Sequence, residues 1–171
     1  MFGQSQAFYH STIRKAVAGF GTLFNDIYIK RFNTDGTEKE RFKIPLAYAA
    51  KQKFIQKLRP TTGQLKFSLP RMGFEVSSMT YDPLRKLNTL QKRVSYNNAN
   101  EMNYRHERVP YDTEFNLYIA ANNIDDGLQI LEQILPFFSP EFTLTFNSLD
   151  GLDEKTDLPI TLTGVTFEDN Y

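Results

Sequence analysis

Apolar residues recur at helical spacing near the start of the chain. Ile13, Val17, Phe20 and Phe24 fall at i, i+4, i+7 and i+11, which predicts a helix over 11–24 with Ser11 as its N-cap. Gly19 and Gly21 weaken that helix and leave room for another element to approach. The period then changes to two: Ile27 and Ile29 alternate with Tyr28 and Lys30, predicting a strand over 26–32. Asn33-Thr34-Asp35-Gly36 is a turn signal, and the charged run 37–44 reads as the returning strand of a hairpin at an exposed edge. A short helix is expected at 48–58, carried by Phe54 and Leu58 and stopped by Pro60. Residues 72–81 read as a strand with Phe74 and Val76 on one face. Residues 82–104 have few periodic apolar positions and read as a long loop with a strand-like middle.

The clearest strand lies within 108–121, where Phe115, Leu117 and Ile119 alternate with polar neighbours. A helix over 124–135 follows, with Asn123 as its cap and Asp126 completing a capping pattern. Ile124, Leu128, Leu131 and Leu135 form one stripe, widened by Ile130 and Ile134, so this helix is expected to be buried on more than one side. It and the first helix are both expected in the core. Strands are predicted at 141–147 and 158–168, after which the chain stops at a turn-like Asp-Asn-Tyr. The order predicts one α+β domain over 1–171, a mainly antiparallel sheet with its helices on one face.

Composition narrows the function more by exclusion than by assertion. The absence of Cys removes disulfides, thiolate metal sites and cysteine nucleophiles. The two histidines, His10 and His106, lack metal-ligand spacing, so no metal or cofactor is expected. Gly19-Phe20-Gly21 lies inside a helix and is no dinucleotide loop. Asp125 and Asp126 point in different directions on a helix, which suits capping better than acid–base catalysis. With no nucleophile elbow and no P-loop, the chain is not expected to be an enzyme. No signal peptide is visible and no apolar run suits a membrane span, so a soluble intracellular or assembled protein is expected.

Charge changes the picture. The 20 basic and 20 acidic side chains balance overall, yet residues 1–110 hold 19 of the bases and 8 of the acids. Residues 111–171 hold 12 acids and one base, Lys155. Three readings follow: nucleic-acid binding through the basic half, self-association of opposite faces, or neutralisation of one half by the other within a subunit. Between 81 and 111, Tyr81, Tyr96 and Tyr104 interleave with Arg85, Lys86, Lys92, Arg93, Arg105 and Arg108. Single-stranded nucleic-acid sites use that mixture, and so do protein interfaces, which are the favoured reading without a nucleic-acid module.

Three ordered stretches carry a family resemblance. The first comprises Met1-Phe2-Gly3, Tyr9-His10-Ser11-Thr12-Ile13-Arg14-Lys15, Phe20-Gly21, Leu23-Phe24, Ile27, Ile29-Lys30-Arg31, Ile44-Pro45-Leu46-Ala47-Tyr48-Ala49 and Lys51. The second comprises Leu69-Pro70-Arg71-Met72, Phe74-Glu75, Tyr81-Asp82 and Arg85-Lys86-Leu87-Asn88. The third comprises Ile130-Leu131-Glu132-Gln133-Ile134-Leu135-Pro136-Phe137-Phe138, Pro140 and Phe142-Thr143. Together they resemble the tail sheath stabiliser, or tail completion, family of T-even-like contractile-tailed bacteriophages.

The resemblance implies a tail-terminator-like α+β fold and a structural virion protein without catalytic, cofactor or metal residues. It implies a homo-hexameric ring at the head-proximal end of the tail, assembled in the bacterial cytoplasm. That ring would touch the sheath and tube-terminator proteins, offer a surface to the neck and head-completion proteins, and pass DNA without specific binding. The family pattern also implies a further strand pairing with 158–168, which this sequence does not reach. A ring needs two complementary patches on each subunit. The basic residues Arg85, Lys86, Lys92 and Arg93 are therefore expected to face Asp150, Asp153, Glu154 and Asp157 of a neighbouring subunit or adjoining ring. A tail-tube terminator and a nucleic-acid-binding module are the alternative functions.

Overall fold

A computed structural model describes residues 11–58, 69–88, 90–98, 101–107, 109–149 and 152–168. The elements, in order, are α1 (Thr12–Leu23), β1 (Tyr28–Phe32), β2 (Glu38–Lys43), β3 (Leu46–Tyr48), α2 (Lys51–Leu58), β4 (Arg71–Tyr81), β5 (Lys92–Asn98), β6 (Glu101–His106), β7 (Tyr111–Ala120), α3 (Ile124–Ile134), a 3-10 turn η1 (Leu135–Phe137), β8 (Glu141–Leu149) and β9 (Leu152–Thr161). The class is α+β, with antiparallel pairing predominant.

β4 organises the centre. It runs parallel to β3, with Met72 opposite Leu46, and antiparallel to β7, with Phe74 opposite Leu117. Successive strand residues point to opposite faces. Phe74 therefore meets α1 on one face, 5.4 Å from the Phe20 ring, while Gly73 lies beneath the Phe54 ring of α2 on the other. The two helices thus cover opposite faces of this sheet, where one covered face was expected. The reason is local: Met72, Gly73 and Phe74 are all buried, a continuous run that needs cover on both sides.

Phe20 is the hub of the main core. It stacks on Phe115 of β7 at 4.2 Å and touches Phe24 at 5.0 Å. Ile27, Ile29, Ile44, Met72, Ile130 and Ile134 complete the buried cluster. The glycines of α1 serve close approach. Gly19 faces Leu144 of β8, and Gly21 faces the Phe74 ring.

Several expectations need correction. Residues 82–104 are not a long loop throughout: β5 and β6 form an antiparallel hairpin in which Val94 opposes Tyr104 and Tyr96 opposes Met102. Its few apolar positions hid the alternation. β9 begins at Leu152 and ends at Thr161, so the strand expected at 158–168 is shifted towards the charged run 152–157, which shows no apolar period. Residues 162–168 lie in no strand. The three-residue β3 went unseen, being too short for a periodic signal. Pro60, expected to stop α2, lies outside the described residues. Ser11 adopts a left-handed backbone (φ 56°) and makes no side-chain cap, because capping requires an extended N-cap residue. Asn123 is extended but also makes no side-chain cap.

The largest correction concerns α3. Its buried side is Asp126, Ile130 and Ile134. Three of the four residues of the stripe expected in the core face outward: Ile124 is 72 % exposed, Leu128 41 % and Leu135 42 %, while Leu131 is half-buried. A helix broadly apolar around its circumference was read as doubly buried, whereas one of its apolar sides is uncovered by the described residues.

Candidate assembly interface

The basic cluster is built on the β4–β7 connection. Where these strands end, Tyr81 opposes Tyr111, and their rings meet edge to face at 5.7 Å. Asp82 then anchors the turn. Its Oδ1 accepts from the Leu84 N–H at 2.8 Å, and its Oδ2 accepts from Arg85 Nε at 2.5 Å. Arg85 Nη2 also donates to Asp112 Oδ1 at the start of β7. The Arg85 guanidinium, followed by the Leu84 amide, holds the Asp82 carboxyl below the usual carboxylate range. The two carboxylates in turn raise the Arg85 pKa. A second turn follows at Asn88, whose Oδ1 accepts from the Leu90 N–H at 3.0 Å and whose carbonyl accepts from the Gln91 N–H at 3.1 Å.

Of the four basic candidates, Arg85 is thus committed to carboxylates of its own chain. Lys86 is exposed in the turn, and Lys92 is exposed at the start of β5. Arg93 lies directly opposite Arg105, and Lys92 opposite His106. Like charges facing each other across a strand pair are destabilising unless a counter-charge is near. This register makes β5–β6 a basic arm.

Three of the acidic candidates lie on another two-stranded sheet, β8–β9. Asp157 is exposed on β9, and Thr145 Oγ1 donates to its Oδ1 at 2.6 Å. Asp153 and Glu154 lie on the same strand towards the β8–β9 connection. Asp150 lies outside the described residues. The structure thus places Lys92 and Arg93 on one sheet, Asp153, Glu154 and Asp157 on another, and Arg85 and Lys86 in the turn before β5.

Part of the charge polarity is neutralised at home. Arg31 pairs with Asp126 at 3.1 Å, Lys51 with Glu168 at 2.9 Å, and Arg85 with Asp112. Each joins a base of the first part to an acid of the last. Asp126 is therefore no capping residue: it turns inward, 4 % exposed, to meet Arg31 from β1. On the α2 face, Tyr118 donates its hydroxyl to Glu75 Oε1. Partial burial and then this bond raise the Tyr118 pKa above its ordinary value.

Sequence reasoning also missed the outward leucines. Leu84 is 94 % exposed and Leu90 84 %, although hydrogen-bonded turns hold the backbone at both. A leucine two residues after an Asp or Asn able to form an Asx turn was the available signal. Among the described residues no group of three or more His, Asp or Glu is placed to hold a metal, and no helix is long and apolar enough to cross a membrane.

An α+β subunit with charged hairpins and uncovered apolar surface is suited to assembly. Residues 7–171 match the model of the T4-like virus Myoviridae tail sheath stabiliser family, and the chain belongs to that family. It is thereby a structural protein of a contractile phage tail, and its place is the virion. The tail completion protein gp15 of Enterobacteria phage T4 is 30 % identical over 179 residues, an alignment that covers 99 % of this chain. The chain spans 64 % of the length of that relative.

Proposed function

We propose that this chain is the repeating subunit of a hexameric ring at the head-proximal end of the tail. The ring stabilises the end of the sheath and tube and joins the tail to the neck. It acts by assembly and not by catalysis. Its partners are further copies of itself, the sheath and tube-terminator proteins, and the neck and head-completion proteins. DNA passes through its channel without specific binding, and the ring assembles in the host cytoplasm.

One observation carries this reading: Lys92 and Arg93 lie on one hairpin, β5–β6, while Asp153, Glu154 and Asp157 lie on another, β8–β9. Two unlike complementary patches on one subunit give a head-to-tail contact, which closes into a ring when the rotation allows. In this arrangement Lys92 and Arg93 of one copy face Asp150, Asp153, Glu154 and Asp157 of the next, and Lys86 stands on the basic loop beside them. Arg85 shapes the basic loop from within.

The test is mass in solution by light scattering at several concentrations. A species near six times 19.8 kDa is expected. At low salt, where exposed charges act most strongly, reversing Lys92 and Arg93 to Glu should lower the assembled fraction. Unchanged assembly of that variant overturns the charged contact. Steeply salt-dependent DNA affinity lost with the same reversal would favour nucleic-acid binding instead.

A further inference from the structure

The outward stripe of α3 combines two properties that rarely stay uncovered together. Ile124 and Leu128 of α3 and Leu135 at the start of η1 lie on one stripe with half-buried Leu131, each of the three more than two-fifths exposed, and Phe137 beyond them is 64 % exposed. Helical geometry places Asp125 and Glu132, both exposed, along one flank of this stripe. The core face of the helix lies on the opposite side, so core packing does not use the stripe. It is an apolar surface with an acidic margin.

The 84–90 turn has the complementary character. Leu84, Leu87 and Leu90 are 94 %, 48 % and 84 % exposed, and Lys86 stands exposed among them. The Asp82–Arg85–Asp112 network holds Leu84 and Arg85, and the Asn88 side chain holds the Leu90 N–H, before any partner arrives. A pre-ordered projection loses less conformational entropy on docking than a mobile one.

We propose that the 84–90 turn of one copy docks on the outer face of α3 of a second copy. Leu84, Leu87 and Leu90 lie along Ile124, Leu128 and Leu135, and Lys86 reaches the Asp125–Glu132 margin. Both halves of the contact belong to this chain and differ from each other, so the contact is head-to-tail and repeats with every added copy. The inference rests on the ring reading above and adds an apolar centre to its charged rim, the usual anatomy of a stable interface.

The test uses two variants of the full chain, Leu128→Asp and the double change Leu84→Asp/Leu90→Asp, each at exposed positions. Far-ultraviolet circular dichroism should match the unaltered chain, and so should the thermal midpoint at concentrations too low for assembly. Each variant alone should be a monomer by light scattering. Mixed in equal amounts they should form dimers and nothing larger, because one intact turn can still meet one intact helix face. An unaltered chain that forms rings while Leu128→Asp also forms rings overturns this contact and leaves the ring standing. So does a mixture that stays monomeric. An unaltered chain that is monomeric at every concentration overturns both. If Leu128→Asp assembles normally but fails to bind tail ends, α3 is the seat of a different tail protein.

Discussion

Gln133 holds both backbone groups of Tyr28. Its side-chain Nε2 donates to the Tyr28 carbonyl at 2.8 Å, and its Oε1 accepts from the Tyr28 N–H at 3.3 Å. One turn earlier on α3, Gln129 Oε1 accepts from the Lys30 N–H at 3.1 Å. The two glutamine side chains stand where another strand would pair with β1. An uncovered strand edge invites pairing with other chains, and here a helix closes it with amides.

That relationship gives the first prediction. Gln133→Ala leaves a partly buried N–H and carbonyl without partners and should cost about 1–3 kcal/mol. Gln133→Glu should cost at least as much, because it swaps the donor for an acceptor facing the Tyr28 carbonyl. Urea midpoints at one fixed protein concentration, with unchanged slopes, would measure both. Equal stability of all three chains would show that the amide contacts carry no weight.

A second prediction concerns Arg31 and Asp126. The carboxylate is nearly fully buried while the Arg31 side chain is 44 % exposed, so water screens one partner only. Arg31→Met strands the carboxylate and should cost about 1–3 kcal/mol. Adding Asp126→Leu removes the stranded charge and should recover most of that loss. A double-mutant cycle from chemical denaturation would read the coupling, and additive losses would contradict it.

How much of this was legible in the sequence depended on whether one residue pattern has one meaning. Phe115, Leu117 and Ile119 alternate because one face of β7 is packed, and the strand was plain. The helix at 124–135 was equally plain, but its orientation was not. Ile124, Leu128, Leu131 and Leu135 form as regular a stripe as Ile130 and Ile134 do, and periodicity cannot say which apolar side meets the core. The clue lay in Gln129, Gln133 and Asp126, polar side chains on the side that meets β1. Polar residues facing inward look like solvent residues until their partners are known. The charged candidates were found as clusters, but the return of Arg85 to Asp82 and Asp112 required the strand register that brings β4 and β7 together.

Two glycines should respond differently to alanine. At Gly73 a new Cβ would lie 2.8 Å from Cδ2 of the Phe54 ring, and Phe54 is itself buried. Gly73→Ala must displace that ring and should cost about 1–3 kcal/mol. At Gly19 the obstacle is Leu144 Cδ2 at 2.6 Å, the far end of a flexible side chain. There the gain in helix propensity, about 1 kcal/mol, should offset the adjustment and leave stability nearly unchanged. Thermal midpoints of the two variants would check the contrast, and similar losses at both sites would reject it.

The last prediction is the pH response of the 82–90 turn. Asp82 has a depressed pKa, chiefly through Arg85 and then the Leu84 N–H. A carboxylate whose folded pKa lies below its unfolded value contributes stability that is full above the unfolded pKa. That contribution fades as pH falls through the folded pKa. The turn should therefore keep its shape from neutral pH down to about pH 4, the ordinary range for aspartate, and loosen only below it. Amide exchange at Leu84 reads this directly, because its N–H is bonded to the titrating group. Asp82→Asn retains an acceptor for Leu84 but not the charge that holds Arg85. It should loosen the turn at neutral pH and remove the acid-dependent step in Leu84 protection. If protection at Leu84 instead fell away well above pH 4, or survived unchanged in Asp82→Asn, the Asp82–Arg85 pair would not be what orders this turn.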